Sequence, residues 1–260
     1  MFGFLGVNGA GKTTVINMLT TLLTPTEGRM KVCGKTVGLD DDVIREKIGI
    51  VYQQNCLDDV LSVEENLICR GVIHGESMKN AKKQCQKIAR ILKLEDILKK
   101  KYKTLSGGQK RRCETAAALM HTPEILFLDE PTTGLDPATR KDVWETIDIL
   151  QKQDNMTVFL TTHYMEEAAK ADFITIIDHG YIIASGTPIE LKDKYAKDKL
   201  FLYYDDYQKE FELDSTLEAI SIINKEKDII GFEVIQGTMD DVFLNATKEK
   251  TNGTIIYSNK

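Results

Sequence analysis

The chain has 260 residues, 42% of them hydrophobic and 28% charged, with a formal net charge of −6. That balance excludes a disordered or fibrous chain, and at this length a hydrophobic core holds without disulfides or a structural metal. The charge is uneven: residues 1–200 carry 28 basic and 28 acidic side chains, residues 201–260 carry 6 and 12, and an acidic tail of this kind argues against nonspecific nucleic-acid binding.

In chain order, short apolar runs predict strands at 2–6, 29–33, 48–52, 125–129, 156–161, 172–177 and 181–185. Segments of helical period separate them, the pattern of an α/β fold with a mostly parallel sheet flanked by helices. The opening Met1–Val7 has no basic leader or small-residue cleavage site, and no apolar run approaches the ~18 residues of a membrane-spanning helix, so a cytosolic placement is expected. Thr14–Leu23 is compatible with a helix. Ser62 with Glu65, and Thr187 with Pro188 and Glu190, are capping boxes that start two more. From Met78 to Leu92 the residues Met78, Ala81, Cys85, Ile88, Ala89 and Leu92 follow helical spacing, which predicts an amphipathic surface helix. Lys79 to Arg112 holds 13 basic residues against Glu95 and Asp96 alone, either a solvated face or a surface for lipid headgroups or phosphate. The five cysteines, odd in number and without a CxxC pair, read as reduced and mostly buried thiols rather than a disulfide framework or zinc site. Near Leu200 the texture changes to short β-like runs, Leu200–Tyr204 and Ile229–Ile235, which places a boundary between a domain at 1–199 and an accessory region at 200–260.

The chemistry concentrates at predicted strand ends. Gly6–Thr13, GVNGAGKT, fits the phosphate-loop pattern GxxxxGK[ST] between a strand and a helix. Backbone amides of Asn8, Gly9, Ala10, Gly11 and Lys12 can cradle phosphate oxygens, Lys12 reaches the β and γ phosphates, and the Thr13 hydroxyl suits Mg2+, with Thr14 following at the helix start. Ile125–Glu130, ILFLDE, is a buried strand ending in two carboxylates. Asp129 suits Mg2+ and Glu130 the polarisation of an attacking water, although such a pair taken alone also fits a helix cap. Gln53 follows the strand ending at Tyr52 and is a candidate to sense Mg2+ and water, preferred over the adjacent Gln54 by strand register. His163 follows the LTT strand end and is either a structural histidine or a contact to the γ phosphate. Leu105–Gln109, LSGGQ, precedes a helix-like run over Lys110–Met120. Ser106 is its N-cap candidate, and Gly107 and Gly108 leave amides bare as a second anion site, which points to two copies sharing nucleotide head to tail.

GVNGAGKTT, the glutamine after IGIVY, LSGGQ, ILFLDEP, GLD at Gly134–Asp136 and His163 stand in the order of an ATP-binding-cassette (ABC) ATPase, which the chain resembles over residues 1 to about 195. The resemblance implies a P-loop NTPase fold with an inserted helical subdomain at about 60–122 and a small α+β C-terminal appendage. It also implies ATP and Mg2+ held between the phosphate loop of one subunit and Leu105, Ser106, Gly107, Gly108 and Gln109 of a second, with Asp136 coupling the two sites. CLDDVLSVEENL, GLDPATRKDVWETI, TTHYMEEA and GTMDDVFL look like the ATPase subunits of drug-resistance and related exporters. That likeness implies separate membrane-spanning subunits, a homodimer or heterodimer of ATPase subunits, and a peripheral location at the inner face of the cell membrane. In GTMDDVFL, Thr238 and Asp241 form a capping box for a short helix carrying Val242 and Phe243, which serves equally as a packing helix.

Two departures stand out. Val7 replaces the usual loop proline, at a position that contributes backbone. The family also has strands before the phosphate loop, including an aromatic residue that stacks on adenine, whereas this sequence starts almost at the loop. Base stacking contributes about 1–3 kcal/mol, so these residues are expected to bind ATP weakly and to expose strand edges. A noncatalytic or truncated subunit is the alternative. A soluble ATPase acting on nucleic acid or ribosomes would be expected to carry a heptad insertion or a tandem cassette, and NKEKD at 224–228 misses the guanine-reading NKxD pattern by one position.

Overall fold

An apolar run forms the first strand, β1 (Phe2–Leu5), and the phosphate loop leads into α1 (Lys12–Leu19). The helix stops four residues short of Leu23. The Thr20 hydroxyl donates to the Ile16 carbonyl at 2.8 Å, Thr21 turns to φ +63°, and the amides of Leu22 and Leu23 both bond the Asn17 carbonyl. In place of one strand at 29–33, a hairpin of β2 (Lys31–Val32) and β3 (Lys35–Thr36) turns through Cys33 and Gly34, both at positive φ as a two-residue turn requires. The chain continues through α2 (Asp41–Lys47), β4 (Ile48–Val51), α3 (Val63–Ile73), α4 (Met78–Ile91), α5 (Gly107–Ala118), β5 (Ile125–Asp129), α6 (Pro137–Gln153), β6 (Thr157–Thr162) and α7 (Met165–Ala168). It closes with β7 (Phe173–Asp178), β8 (Tyr181–Gly186), α8 (Pro188–Tyr195), β9 (Asp198–Tyr203), β10 (Gln208–Leu213), α9 (Glu218–Ile223), β11 (Gly231–Ile235) and α10 (Met239–Asn252). The computed structural model describes residues 1–153 and 156–252; residues 253–260 of the expected accessory region lie outside the described residues. The described residues fall into two units, Met1–Phe2 with Gly11–Thr162 and Gly3–Ala10 with the described residues from His163 onward.

In the first unit β4, β5 and β6 are parallel, with Ile48, Ile125 and Thr157 in register and Leu128 flanked by Val51 and Leu160. Both faces of β5 are covered, so its sequence reads as one apolar run. Leu126 and Leu128 pack with Trp144 and Ile147 of α6 and with Leu67, Cys113 and Met120, while Phe127 packs on the other face with Ile44, Ile48 and Val32. Ser62 and Glu65 form the expected capping box of α3, and Ser77 caps α4 by accepting the Asn80 amide. Ala81, Cys85, Ile88, Ala89 and Leu92 are buried, but Met78, at the first turn of α4, is 56% exposed. It begins a helix that has no preceding turn to cover it.

In the second unit β7 and β8 form an antiparallel pair turned by His179 and Gly180, and Thr187, Pro188 and Glu190 start α8 with the predicted capping box. Asp198 opens a separate antiparallel sheet in the order β10, β9, β11, with Leu200, Leu202, Leu213 and Ala219 at its core. The strands fall on both predicted β-like runs, ending before Tyr204 and starting after Ile230, and β10 is added. Thr238 and Asp241 cap α10 reciprocally at 3.0 and 3.2 Å, but that helix has 14 residues and is not the short one expected. The cysteines depart from expectation: Cys85 and Cys113 are buried, Cys33 is half-buried, and Cys56 and Cys69 are exposed.

Candidate functional site

The phosphate loop is shaped by its glycines. Gly9 and Gly11 have φ of +83° and +108°, a region that L side chains rarely adopt, and Gly11 is the residue from which α1 starts. A Cβ on Gly6 would lie 2.5 Å from the Ile177 carbonyl oxygen, so only glycine fits there. The Ala10 amide closes a turn on the Val7 carbonyl at 3.1 Å, and the Ala10 carbonyl accepts the Gly180 amide at 2.9 Å. Asn8 and Gly9 stand exposed at the tip.

Lys12, the first residue of α1, is 4% exposed, and its Nζ lies 3.2 Å from Oε1 of Glu130. Two segments far apart in sequence thus bring the phosphate-loop cation to the second carboxylate of ILFLDE. Thr13 and Thr14 are exposed on the same first turn.

The carboxylate pair is locked from the neighbouring strand. The Thr161 hydroxyl donates to Asp129 Oδ1 at 2.7 Å and accepts the Glu130 amide at 3.1 Å. Thr133 donates to Glu130 Oε2 at 3.0 Å. Glu130 takes φ +46°, unusual for a residue with a side chain, and this abrupt turn at the strand end is how two adjacent carboxylates take up different positions.

Gln53 is exposed, one residue after Tyr52, whose carbonyl accepts a hydrogen bond from Arg111 Nη1. Arg111 is a functional candidate that the sequence reading missed. It is buried, and its guanidinium also donates to the Asp129 carbonyl at 3.2 Å and the Pro131 carbonyl at 2.9 Å. Burial lowers its pKa from the ordinary arginine value, opposed by the carboxylates of Glu114 and Asp129. Glu114, one turn along α5, was missed as well. Its Oε1 accepts the amides of Cys56 and Leu57 and the Tyr102 hydroxyl at 2.8, 3.1 and 2.7 Å. That bond, after burial, pushes the Tyr102 phenol well above its ordinary value. The nearest signal in sequence was the KRRCE stretch directly after LSGGQ, where basic residues in a lysine-rich surface tract conceal a buried one.

Ser106 caps α5 as predicted, forming a capping box with Gln109. Gly107 and Gly108 lie against Leu135 and the first turn of α6: added Cβ atoms would meet Leu135 at 3.8 Å and Thr139 at 2.5 Å. Asp136 is fully engaged at the start of α6. It accepts the amides of Ala138 and Thr139 at 3.1 Å and the Thr139 hydroxyl at 2.5 Å, bonds that hold its pKa below the usual carboxylate value. In the second unit His163 follows β6 and packs its ring on Tyr164, 4.2 Å between centroids.

Comparison with known proteins identifies the frame that carries these residues. The sequence profile of the ABC transporter family matches residues 1–133, which include the phosphate loop, LSGGQ and the carboxylate pair. The chain belongs to the ABC transporter family. It is 41% identical over 220 residues to the daunorubicin/doxorubicin resistance ATP-binding protein DrrA of Streptomyces peucetius, a match spanning 84% of this chain and 66% of that protein. It is 42% identical over 200 residues to the linearmycin resistance ATP-binding protein LnrL of Bacillus subtilis (strain 168), spanning 76% and 64%. The chain therefore spans just under two thirds of these relatives' length. Among solved structures, cbiO1 from Clostridium perfringens, part of the ABC transporter complex cbiONQ, matches with a TM-score of 0.69 at 29% identity, over 74% of this chain and 79% of that one. The ATP-binding cassette MJ0796, a dimer in a post-hydrolysis state bound to ADP and Pi, matches with a TM-score of 0.65 at 29% identity, over 72% and 85%. The fold is that of an ABC ATPase cassette. Among the described residues, no helix is long and apolar enough to cross a membrane.

Proposed function

We propose that the chain is the ATP-binding and ATP-hydrolysing subunit that powers an ABC-type exporter of drugs or other small molecules. The observation that carries the reading is the meeting of Lys12 and Glu130 at 3.2 Å, with Asp129 held beside them by Thr161. A bound triphosphate offers Lys12 a denser negative charge than one carboxylate. Lys12 then leaves Glu130 for the β and γ phosphates, while the amides of 8–12 cradle the phosphate oxygens. Glu130, no longer paired with Lys12, becomes the base that accepts a proton from the water attacking the γ phosphorus, whose bond to the β–γ bridging oxygen breaks so that ADP leaves. The Thr161 and Thr133 hydroxyls keep its backbone and side chain in place during that exchange. His163 is assigned to the γ phosphate by the family pattern.

The hard oxygen donors Thr13 Oγ1, Asp129 and Gln53 fit Mg2+, which prefers a carboxylate, a hydroxyl and phosphate oxygens to nitrogen or sulfur. When bound, it neutralises charge on the phosphates.

The likeness to DrrA and LnrL, ATP-binding proteins of daunorubicin/doxorubicin and linearmycin resistance, supports an export role for this chain. Under that reading it works with separate membrane-spanning subunits at the inner face of the membrane. It dimerises so that LSGGQ of one copy closes on the nucleotide of the other, with Asp136 ordering the loop beside it. Residues 1–199 form the ATPase domain and 200–260 the accessory region, a division supported by the independent sheet that begins at Asp198. Equilibrium ATP binding by the full chain tests the site: Lys12→Met is expected to lower affinity at least about tenfold through loss of charge-assisted hydrogen bonds. Unchanged affinity would contradict the assignment.

A further inference from the structure

The Arg111 guanidinium is a planar fork of five N–H donors, and in this chain it grips three main-chain carbonyls. Two of them, Asp129 O at 3.2 Å and Pro131 O at 2.9 Å, lie on either side of Glu130. The third, Tyr52 O, immediately precedes Gln53. The side chain is 6% exposed, so water does not compete for these bonds. Glu130 itself sits at φ +46°. A residue with a Cβ keeps that conformation only where its surroundings dictate it, and Arg111 fastens the carbonyls of the residues before and after it.

The same helix holds the rest of the segment. Glu114 accepts the amides of Cys56 and Leu57 at 2.8 and 3.1 Å. One face of α5 thus fixes the stretch 52–57 near each end and the turn around Glu130, while the start of α5 is the LSGGQ cap itself.

We propose that Arg111 is a positioning residue for hydrolysis, setting Glu130 and Gln53 in one frame and tying that frame to the LSGGQ helix. The inference rests on the ATPase reading above and extends it to a residue outside the phosphate loop and the carboxylate pair. Arg111 touches neither nucleotide nor water in this account. Its loss is therefore expected in turnover rather than in ATP affinity, because a base misplaced by about 1 Å costs on the order of 100-fold in rate. Lysine has the charge but not the fork, and donors on a single nitrogen cannot reach the three carbonyls that Nε, Nη1 and Nη2 meet separately.

The test compares Arg111→Lys and Arg111→Met with wild type in the full chain. The measurements are thermal unfolding, equilibrium ATP binding, kcat and KM for phosphate release, and amide hydrogen exchange of segments 52–57 and 129–133 without nucleotide. The expected result is that kcat falls on the order of 100-fold in the methionine variant and about tenfold in the lysine variant, with ATP affinity close to wild type. Exchange in both segments is expected to rise together by about tenfold in the lysine variant, at a near-native unfolding temperature. A folded lysine variant with wild-type kcat, or one in which the two segments exchange as in wild type, overturns the inference. So does failure of both variants to fold, which would make Arg111 a purely structural residue. A wild-type chain that hydrolyses no ATP would sink the functional reading, whereas the exchange data would still report whether Arg111 holds the two segments in one frame.

Discussion

Replacing Glu130 with glutamine keeps the size of the side chain and removes its charge, taking away the carboxylate that Lys12 meets. The two side chains are 4% and 12% exposed and their charged atoms are 3.2 Å apart. At an effective dielectric constant of about 20, unit charges at that separation attract by about 5 kcal/mol, of which desolvation cancels a large part. Glutamine retains an oxygen for Lys12 and for the Thr133 hydroxyl, so the net loss of stability without nucleotide should be about 2 kcal/mol. With a saturating non-hydrolysable ATP analogue, Lys12 is bound to phosphate in both proteins, and the difference should shrink to less than about 1 kcal/mol. By linkage, Glu130→Gln then binds the analogue more tightly than wild type, by up to about 30-fold for 2 kcal/mol. Urea unfolding of both proteins with and without the analogue reads these quantities. A parallel cycle in the Lys12→Met background separates the ion pair from any other effect of the glutamate charge. An equal destabilisation with and without nucleotide would refute the exchange of partners by Lys12.

Other predictions follow from local geometry. Gly108→Ala places a Cβ 2.5 Å from Thr139 Cγ2 and forces that side chain off Asp136, so loss of the α6 cap should lower stability by about 1 kcal/mol in a thermal melt; an unshifted melt would contradict the contact. Gly237→Ala meets the Ala196 carbonyl oxygen at 1.8 Å, and limited proteolysis should cut the region after Ala196 much faster than in wild type. Burial raises the Cys85 thiol to about 11 and the Cys113 thiol to about 12 from an ordinary 9.0. The native state thus keeps protons that the unfolded chain releases, and stability should fall as pH rises from about 9 towards 12. Burial lowers the pKa of His74 and His121 below 6.5; charge from Arg70 adds to it at His74, and at His121 the bond to the Ile48 carbonyl opposes it while charge from His74 adds to it. Their contribution should be present above pH 6.5 and lost on acidification; urea midpoints across pH check both arms.

Much of this architecture is legible in the sequence because the signals are local. β5 is both an apolar run and the end of a motif, and the boxes at Ser62 and Thr187 need only the residue three positions on. What escapes sequence reading is set by distant partners or by backbone geometry. Arg111 stands in a tract of lysines and arginines that are mostly solvated, and only the fold reveals that carbonyls from residues 52, 129 and 131 converge on it. The left-handed turn at Glu130 is held by Thr161, a residue on another strand. The early end of α1 depends on Thr20 and Thr21, whose side chains and backbone compete with helix continuation although their apolar neighbours keep the period. The cysteines show the limit of composition: the thiols at 85 and 113 fall on helix faces turned inward, whereas Cys56 sits in an exposed loop and Cys69 on the outer face of α3.

The central claim is that Glu130 performs the hydrolytic step on ATP held by Lys12. Phosphate release by the full chain with Mg2+ and ATP, measured beside Glu130→Gln with ATP binding followed in parallel, tests it most directly. The expected result is turnover by wild type and a loss of at least about 100-fold in the variant, with ATP binding retained. Equal turnover in the two proteins would contradict it.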